Sequence, residues 1–245
     1  MNRFKASLLH LFGSVCVVLL VFLLVRLVWY PGRFFEAASG TELMLILTLV
    51  DVVLGPLVTL IIFSPAKPSL KFDLTVVVVV QVGFLMYGLW SIYSARPVYI
   101  PFDEDRFYLV TANEIDPEDM KKAKNPAFQS FPHFGPTIVG TALPDAPDMR
   151  EKIKVGGMVG MGIQVLPQYY VPYGQAAASV KAAAVRAREL KGEIITSDED
   201  IARLSDYEAK KREGGRAVRF VRLVSKKVML YVAIDEMTGA VVEIL

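Results

Sequence analysis

The sequence predicts a membrane protein of three N-terminal transmembrane α-helices followed by an α+β soluble domain with an antiparallel sheet. Three observations predict it. The chain is 53% hydrophobic over 245 residues, too apolar for an ordinary soluble domain. The apolar excess is confined to residues 1–95, which carry six Lys/Arg and four Asp/Glu, whereas residues 96–245 carry 21 of each sign. Finally, three apolar runs reach the ~20 residues needed to cross a ~30 Å hydrocarbon core: Leu8–Tyr30, Leu43–Phe63 and Leu74–Tyr93. The division is therefore a membrane region, 1–95, and a soluble domain, 96–245, long enough for its own core.

The first run follows Arg3 and Lys5 as a signal peptide would, but it is too long for an h-region. Gly13-Ser14-Val15-Cys16 lacks the small residue before cysteine that a lipoprotein site needs, and two further spans follow, so it reads as a retained anchor. Cys16 is the single cysteine, which rules out an intrachain disulfide framework. Arg3 and Lys5 before the first span, and Lys67 and Lys71 between the second and third, mark those flanks as cytoplasmic. The C-terminal domain then lies outside, in the periplasm of a bacterium with two membranes. Arg96, just past the third span, argues mildly the other way.

Asp51 is the anomaly in the spans, because a carboxylate in hydrocarbon costs roughly 2.5–3.5 kcal/mol on insertion scales. Gly55 and Pro56 follow one turn later, and Pro56 removes a donor, allows a kink and frees carbonyls near residues 52–53. With Thr59 they form a polar notch, and Gln81, Gly83 and Gly88 offer a small, polar face on span three. Arg26 either snorkels beside Trp29 and Tyr30 or pairs with Asp51. Asp51, Gln81 and Arg26 either glue the spans together or receive a polar group from another transmembrane helix. Intramembrane proteolysis would need paired aspartates, a Ser/His set or a metal, and these spans carry Asp51 and, in the first of them, His10.

In the second region, residues 97–112 read as strands turning at Asp103–Asp105. Asp103-Glu104-Asp105 lacks the alternating ligands, glycine and terminal glutamate of a calcium loop. His133 stands alone, and Gly157-x-x-Gly160-x-Gly162 has neither the order nor the preceding strand of a dinucleotide fingerprint. Pro167-Gln-Tyr-Tyr-Val-Pro-Tyr173 is an aromatic loop suited to packing or contact through Tyr169, Tyr170 and Tyr173. Helices follow over roughly 174–191 and, from a capping box at Thr196-x-x-Glu199 or Ser197-x-x-Asp200, to Gly214-Gly215. The tail reads as antiparallel sheet, with a hairpin at Asp235-Glu-Met-Thr-Gly239.

Residues 210–227 hold eight basic side chains and one acidic, and residues 103–119 hold seven acidic and one basic. A solvated face or mutual pairing accounts for them, with lipid headgroups or an acidic protein patch as the lesser alternative; nucleic acid is not expected. No nucleophile–base pair, metal cluster or phosphate loop is present, which favours binding or assembly over an enzyme and implies no cofactor.

The ordered pattern Asp51-x-x-Leu54-Gly55-Pro56-Leu57-x-Thr59-Leu60, Lys67, Asp73, Gln81, Tyr87-Gly88, Ala95-Arg96-Pro97-Val98 and Phe102-Asp103-x-Asp105-Arg106-Phe107 resembles the TfpX/TfpZ family of type IV pilin accessory proteins. The resemblance extends more loosely through Pro167–Pro172 and Asp235–Val241. It implies three inner-membrane spans, a periplasmic domain and a chaperone-like role in fimbrium biogenesis, promoting the stability or assembly of a cognate major pilin. The candidate partner-binding or packing residues are Arg26, Asp51, Gly55, Pro56, Gln81, Arg96, Asp103, Arg106, Tyr169, Tyr170 and Tyr173. The rival readings are a membrane-anchored sensor or regulator with a ligand-binding periplasmic domain, and a membrane-embedded enzyme. Oligomeric state is not legible.

Overall fold

The computed structural model describes residues 2–158, 160–190 and 197–245. It divides into two compact units, one of residues 1–35 and 39–96, the other of residues 36–38 and 97–245.

The first unit holds three helices long and apolar enough to cross a membrane: α1 (Arg3–Trp29), α2 (Gly40–Ile62) and α3 (Leu70–Ser94). Each begins a few residues earlier than its hydrophobic run, because polar residues supply the first turn. Asn2 caps α1 through Oδ1, which accepts from the Lys5 N–H at 2.9 Å. Lys67 pairs with Asp73 across the start of α3. Two stretches wind as π-helix, Val25–Trp29 ending α1 and Leu49–Leu54 in the middle of α2. The second lies immediately before Gly55-Pro56. Proline lacks the donor an α-turn requires and crowds the carbonyl four residues back, and one wider turn absorbs both defects. Tyr30 ties the ends of α1 and α3 by donating its hydroxyl to the Ile92 carbonyl at 2.8 Å, and Trp29 meets Tyr93 edge-on at 5.0 Å.

The second unit is built on one sheet in the order β5-β4-β1-β2-β6-β7-β8, with β3 beside β1. The strands are β1 (Pro97–Asp103), β2 (Arg106–Tyr108), β3 (Val110–Thr111), β4 (Thr137–Thr141), β5 (Tyr170–Pro172), β6 (Val218–Val224), β7 (Leu230–Asp235) and β8 (Val241–Ile244). The expected antiparallel sheet is corrected to a mixed one, since β1 pairs β4 and β2 pairs β6 in parallel. Hairpin turns announce antiparallel neighbours locally. Parallel neighbours need long crossovers, whose partners no short motif names. The two expected hairpins are present: Glu104 takes φ +54 in the turn joining β1 and β2, and Gly239 takes φ +73 before β8.

Four helices complete this unit: α4 (Pro117–Lys121), α5 (Pro147–Gly157), α6 (Tyr173–Ala183) and α7 (Asp198–Glu213). The helix expected over 174–191 ends at Ala183. The chain then extends so that Val185 bridges Phe220 of β6 through two backbone hydrogen bonds, before a 3-10 turn at Ala187–Leu190. Ser197 caps α7 as expected, whereas the alternative cap, Thr196, lies outside the described residues. Sequence reasoning missed α5, whose start is marked by Pro147-Asp148 at its first turn.

Apolar clusters among the described residues fill the unit. One gathers Tyr99, Val139, Phe128 and Tyr170 around β1 and β4. Another gathers Phe220, Tyr231, Leu204 and Leu190 between the β6–β7 pair, the 3-10 turn and α7. The acidic and basic stretches meet at ion pairs that include Arg222–Asp105 at 3.3 Å and Lys226–Glu114 at 3.2 Å. Such partly exposed pairs contribute ~0–1 kcal/mol each.

The β7–β8 turn is held more firmly. Asp235 accepts from the Met237 and Thr238 N–H groups and the Thr238 hydroxyl through Oδ1, and from Arg216 Nε through Oδ2. These donors lower its pKa to about 2, the backbone hydrogen bond from Thr238 being the largest contributor. The stabilisation is therefore fully present above the ordinary aspartate range near 3.9 and is lost as pH falls through about 2. Asp235→Ala is expected to cost about 2 kcal/mol at neutral pH, and the gap between wild type and variant in denaturant titrations should close as pH falls toward 2.

Candidate functional site

Asp51 lies on the π-helical stretch of α2, eleven residues from either end of that helix, with 6% of its surface exposed. It lines a cavity of about 440 Å³ among α1, α2 and α3, together with His10, Thr59, Gln81 and the apolar Val78 and Leu85. The elements around it explain the placement. Ser7 donates its hydroxyl to the Pro56 carbonyl at 2.8 Å, and His10 Nδ1 lies 2.6 Å from Thr59 Oγ1. These two contacts seat α1 against the kinked half of α2. The carbonyl drawn into a cross-helix bond is thus that of Pro56 itself.

Gln81 of α3 approaches α2 where Gly55 leaves room. A Cβ on Gly55 would collide with the Gln81 side-chain nitrogen. Gly88 packs against Leu47, its would-be Cβ 3.2 Å away, whereas Gly83 has nothing within 4 Å. Gly55→Ala is accordingly expected to expel the Gln81 amide and destabilise the unit by about 1–3 kcal/mol. A double-mutant cycle with Gln81→Ala, read by thermal unfolding in detergent, should recover most of that loss.

Arg26 forms no ion pair with Asp51 among the described residues. The Ser7 and His10 contacts explain why. With α1 and α2 registered there, Arg26 lies about ten residues past the level of Asp51, roughly 15 Å at helical rise. Asp51 has no hydrogen-bonding partner among the described residues, and its carboxylate opens on the cavity. His10 is the residue that sequence reasoning passed over. Its signal was a histidine in an apolar run, informative only once Thr59 was known to face it.

Arg96 closes the first unit, its guanidinium 3.6 Å above the Tyr93 ring and its Nη1 donating to the Tyr93 carbonyl at 2.7 Å.

The remaining candidates lie in the second unit. Arg106 grips Asp105 through Nε at 2.7 Å and Nη2 at 3.0 Å, which lowers the Asp105 pKa. Asp103, at the end of β1, is pushed above the usual carboxylate range by burial and then by Glu104, against a weak contact from the Thr141 hydroxyl at 3.3 Å. It lines a cleft of about 780 Å³ with Glu104, Glu114, Arg150, Lys154 and Lys226. Tyr170 is buried edge-on to Tyr99 at 5.1 Å and donates its hydroxyl to the Gln164 carbonyl. Tyr173 donates to the Gly239 carbonyl at 2.6 Å, and Tyr169 is half-buried beside a separate shallow cleft. The structure therefore gathers Asp51, Gly55, Pro56 and Gln81 around one helix contact and distributes the other candidates over different places.

Comparison with known proteins gives a consistent picture. The model of the fimbrial assembly protein FimB family matches residues 1–38. The chain is 28% identical to the fimbrial assembly protein of serogroup I of Dichelobacter nodosus over 183 residues, 74% of this chain and 70% of that one. It is 27% identical over the same length to the serogroup E1 protein, again covering 74% and 70%. Against the protein of serogroups C1 and C2 it is 29% identical over 121 residues, 49% of this chain and 92% of that one. No solved structure matches. The resemblance to type IV pilin accessory proteins drawn from the residues agrees with these similarities.

Proposed function

We propose that this chain is a non-enzymatic, chaperone-like accessory factor for type IV pilus assembly, anchored in the bacterial inner membrane by α1–α3, with its N-terminus cytoplasmic and its C-terminal domain periplasmic. It holds a cognate major pilin before incorporation, the apolar helices receiving the pilin's apolar helix and the outer domain receiving its head. The observation that carries this reading is the Asp51 carboxylate, without a hydrogen bond among the described residues, held on a proline-disrupted helix and open to a cavity bounded by His10, Thr59 and Gln81. A buried carboxylate inside an apolar bundle is costly to keep unless it serves a partner or pathway. The similarity to fimbrial assembly proteins supplies the process in which that partner is found.

Deletion of the gene tests the proposal. Surface pili should disappear and return on complementation, while flagella and other surface structures persist. Normal piliation in the deletion strain would refute it. The 780 Å³ cleft of the outer domain favours a second reading, a membrane-anchored sensor that binds a small ligand there. That reading predicts altered expression of target genes with pilus assembly itself intact.

A further inference from the structure

We propose that the cavity among α1, α2 and α3 receives a single cationic nitrogen, an ammonium or guanidinium, carried on the membrane-embedded helix of a partner protein. The proposal rests on the preceding reading only for which protein supplies that helix.

Four observations lead to it. Asp51 is 94% withdrawn from solvent, faces the cavity and has no hydrogen-bonding partner among the described residues. Of the neighbouring polar groups, His10 bonds Thr59 while its charge also acts on Asp51, and the Gln81 amide lies against Gly55. The charged group of the site is a carboxylate, an acceptor that a charged donor satisfies best. The space, about 440 Å³, admits a long side chain, and the apolar walls at Val17, Val78, Val82 and Leu85 suit the stem that bears it.

Depth selects the source. Asp51 is eleven residues from each end of α2, about 16 Å at helical rise, near the middle of a ~30 Å apolar layer. A lipid headgroup amine held at the interface does not reach that level, and the chain's own Arg26 is stationed toward the end of α1. A basic side chain on a neighbouring helix does reach it.

The test uses the purified full-length protein in phosphatidylcholine vesicles. Dicyclohexylcarbodiimide, an apolar reagent for carboxyl groups, is added and modification of the Asp51 peptide is followed by mass spectrometry, with Asp51→Asn as the blank. The probe is a synthetic apolar helix of about 21 residues, long enough to span, with one central lysine; its control carries methionine there. The lysine helix at ten times its dissociation constant should slow Asp51 modification about tenfold, and the methionine helix should leave it unchanged. Asp51→Glu should retain the protection.

Equal protection by both helices, or by neither, overturns the proposal, as does an Asp51 that is unreactive in the protein alone. Protection by phosphatidylethanolamine vesicles without peptide assigns the site to a headgroup and overturns the partner helix. The measurement needs no pili. Normal piliation in a deletion strain would remove the pilus reading and leave a protected Asp51 standing as a cation site.

Discussion

Asp51→Asn, expressed at normal level in a strain lacking the native gene, is expected to reduce surface piliation by about tenfold or more. A hydrogen bond to a charged group contributes roughly 1.5–3 kcal/mol, and 1.4 kcal/mol is a tenfold change in occupancy. The substitution is nearly isosteric, and Asp51 makes no hydrogen bond among the described residues of its own bundle, so the helices lose no internal hydrogen bond. Removing the charge should even lower the cost of burying the site. The distinguishing result is thus a protein at least as abundant as wild type that no longer supports pili. Asp51→Glu, which restores the carboxylate, should restore most piliation. Wild-type piliation in the asparagine variant would reduce Asp51 to a packing residue.

Phe220→Ala is expected to produce the largest loss of stability, about 3–5 kcal/mol, the range for deleting a buried aromatic ring. Phe220 is fully enclosed on β6, among Leu190, Leu204, Tyr231 and Ala233, and meets the Tyr207 ring edge at 6.3 Å. Its backbone also pairs with Val185, so the cavity would open where α7, the 3-10 turn and the sheet converge. Tyr231 and Ala233 are held by strand pairing, which limits collapse into the void. Urea titration of the full-length protein, followed by protease susceptibility of the C-terminal domain, should show a lower midpoint with an unchanged slope.

How far the residues alone foretold this varies by element, for physical reasons. The apolar helices were legible because runs of about twenty predominantly apolar residues satisfy a length that no soluble core demands. The Asp235–Gly239 hairpin was legible because its glycine and aspartate act within five residues. The mixed sheet was not, because β1 finds β4, and β2 finds β6, across long crossovers. Alternation also failed on β1 and β7, which are buried along almost their whole length and therefore show no polar face to read. Tyr170 and Tyr173 illustrate a related ambiguity: an aromatic loop written as a contact surface has two hydroxyls spent on its own backbone, at Gln164 and Gly239.

For the candidate site, the sequence by itself determined the unusual ingredients: a carboxylate, a glycine–proline break and a glutamine, each out of place in an apolar helix. Composition and local spacing suffice for that, since the cost of a polar group in hydrocarbon depends on the residue type and its depth. Only the tertiary structure decided the relations among them. Ser7 and His10 set the register of α1 on α2, which carries Arg26 away from Asp51 and brings His10 beside the same cavity. Helix register is fixed by contacts between residues 49 positions apart, where no sequence periodicity acts, and it leaves the Asp51 carboxylate without a hydrogen-bonding partner among the described residues.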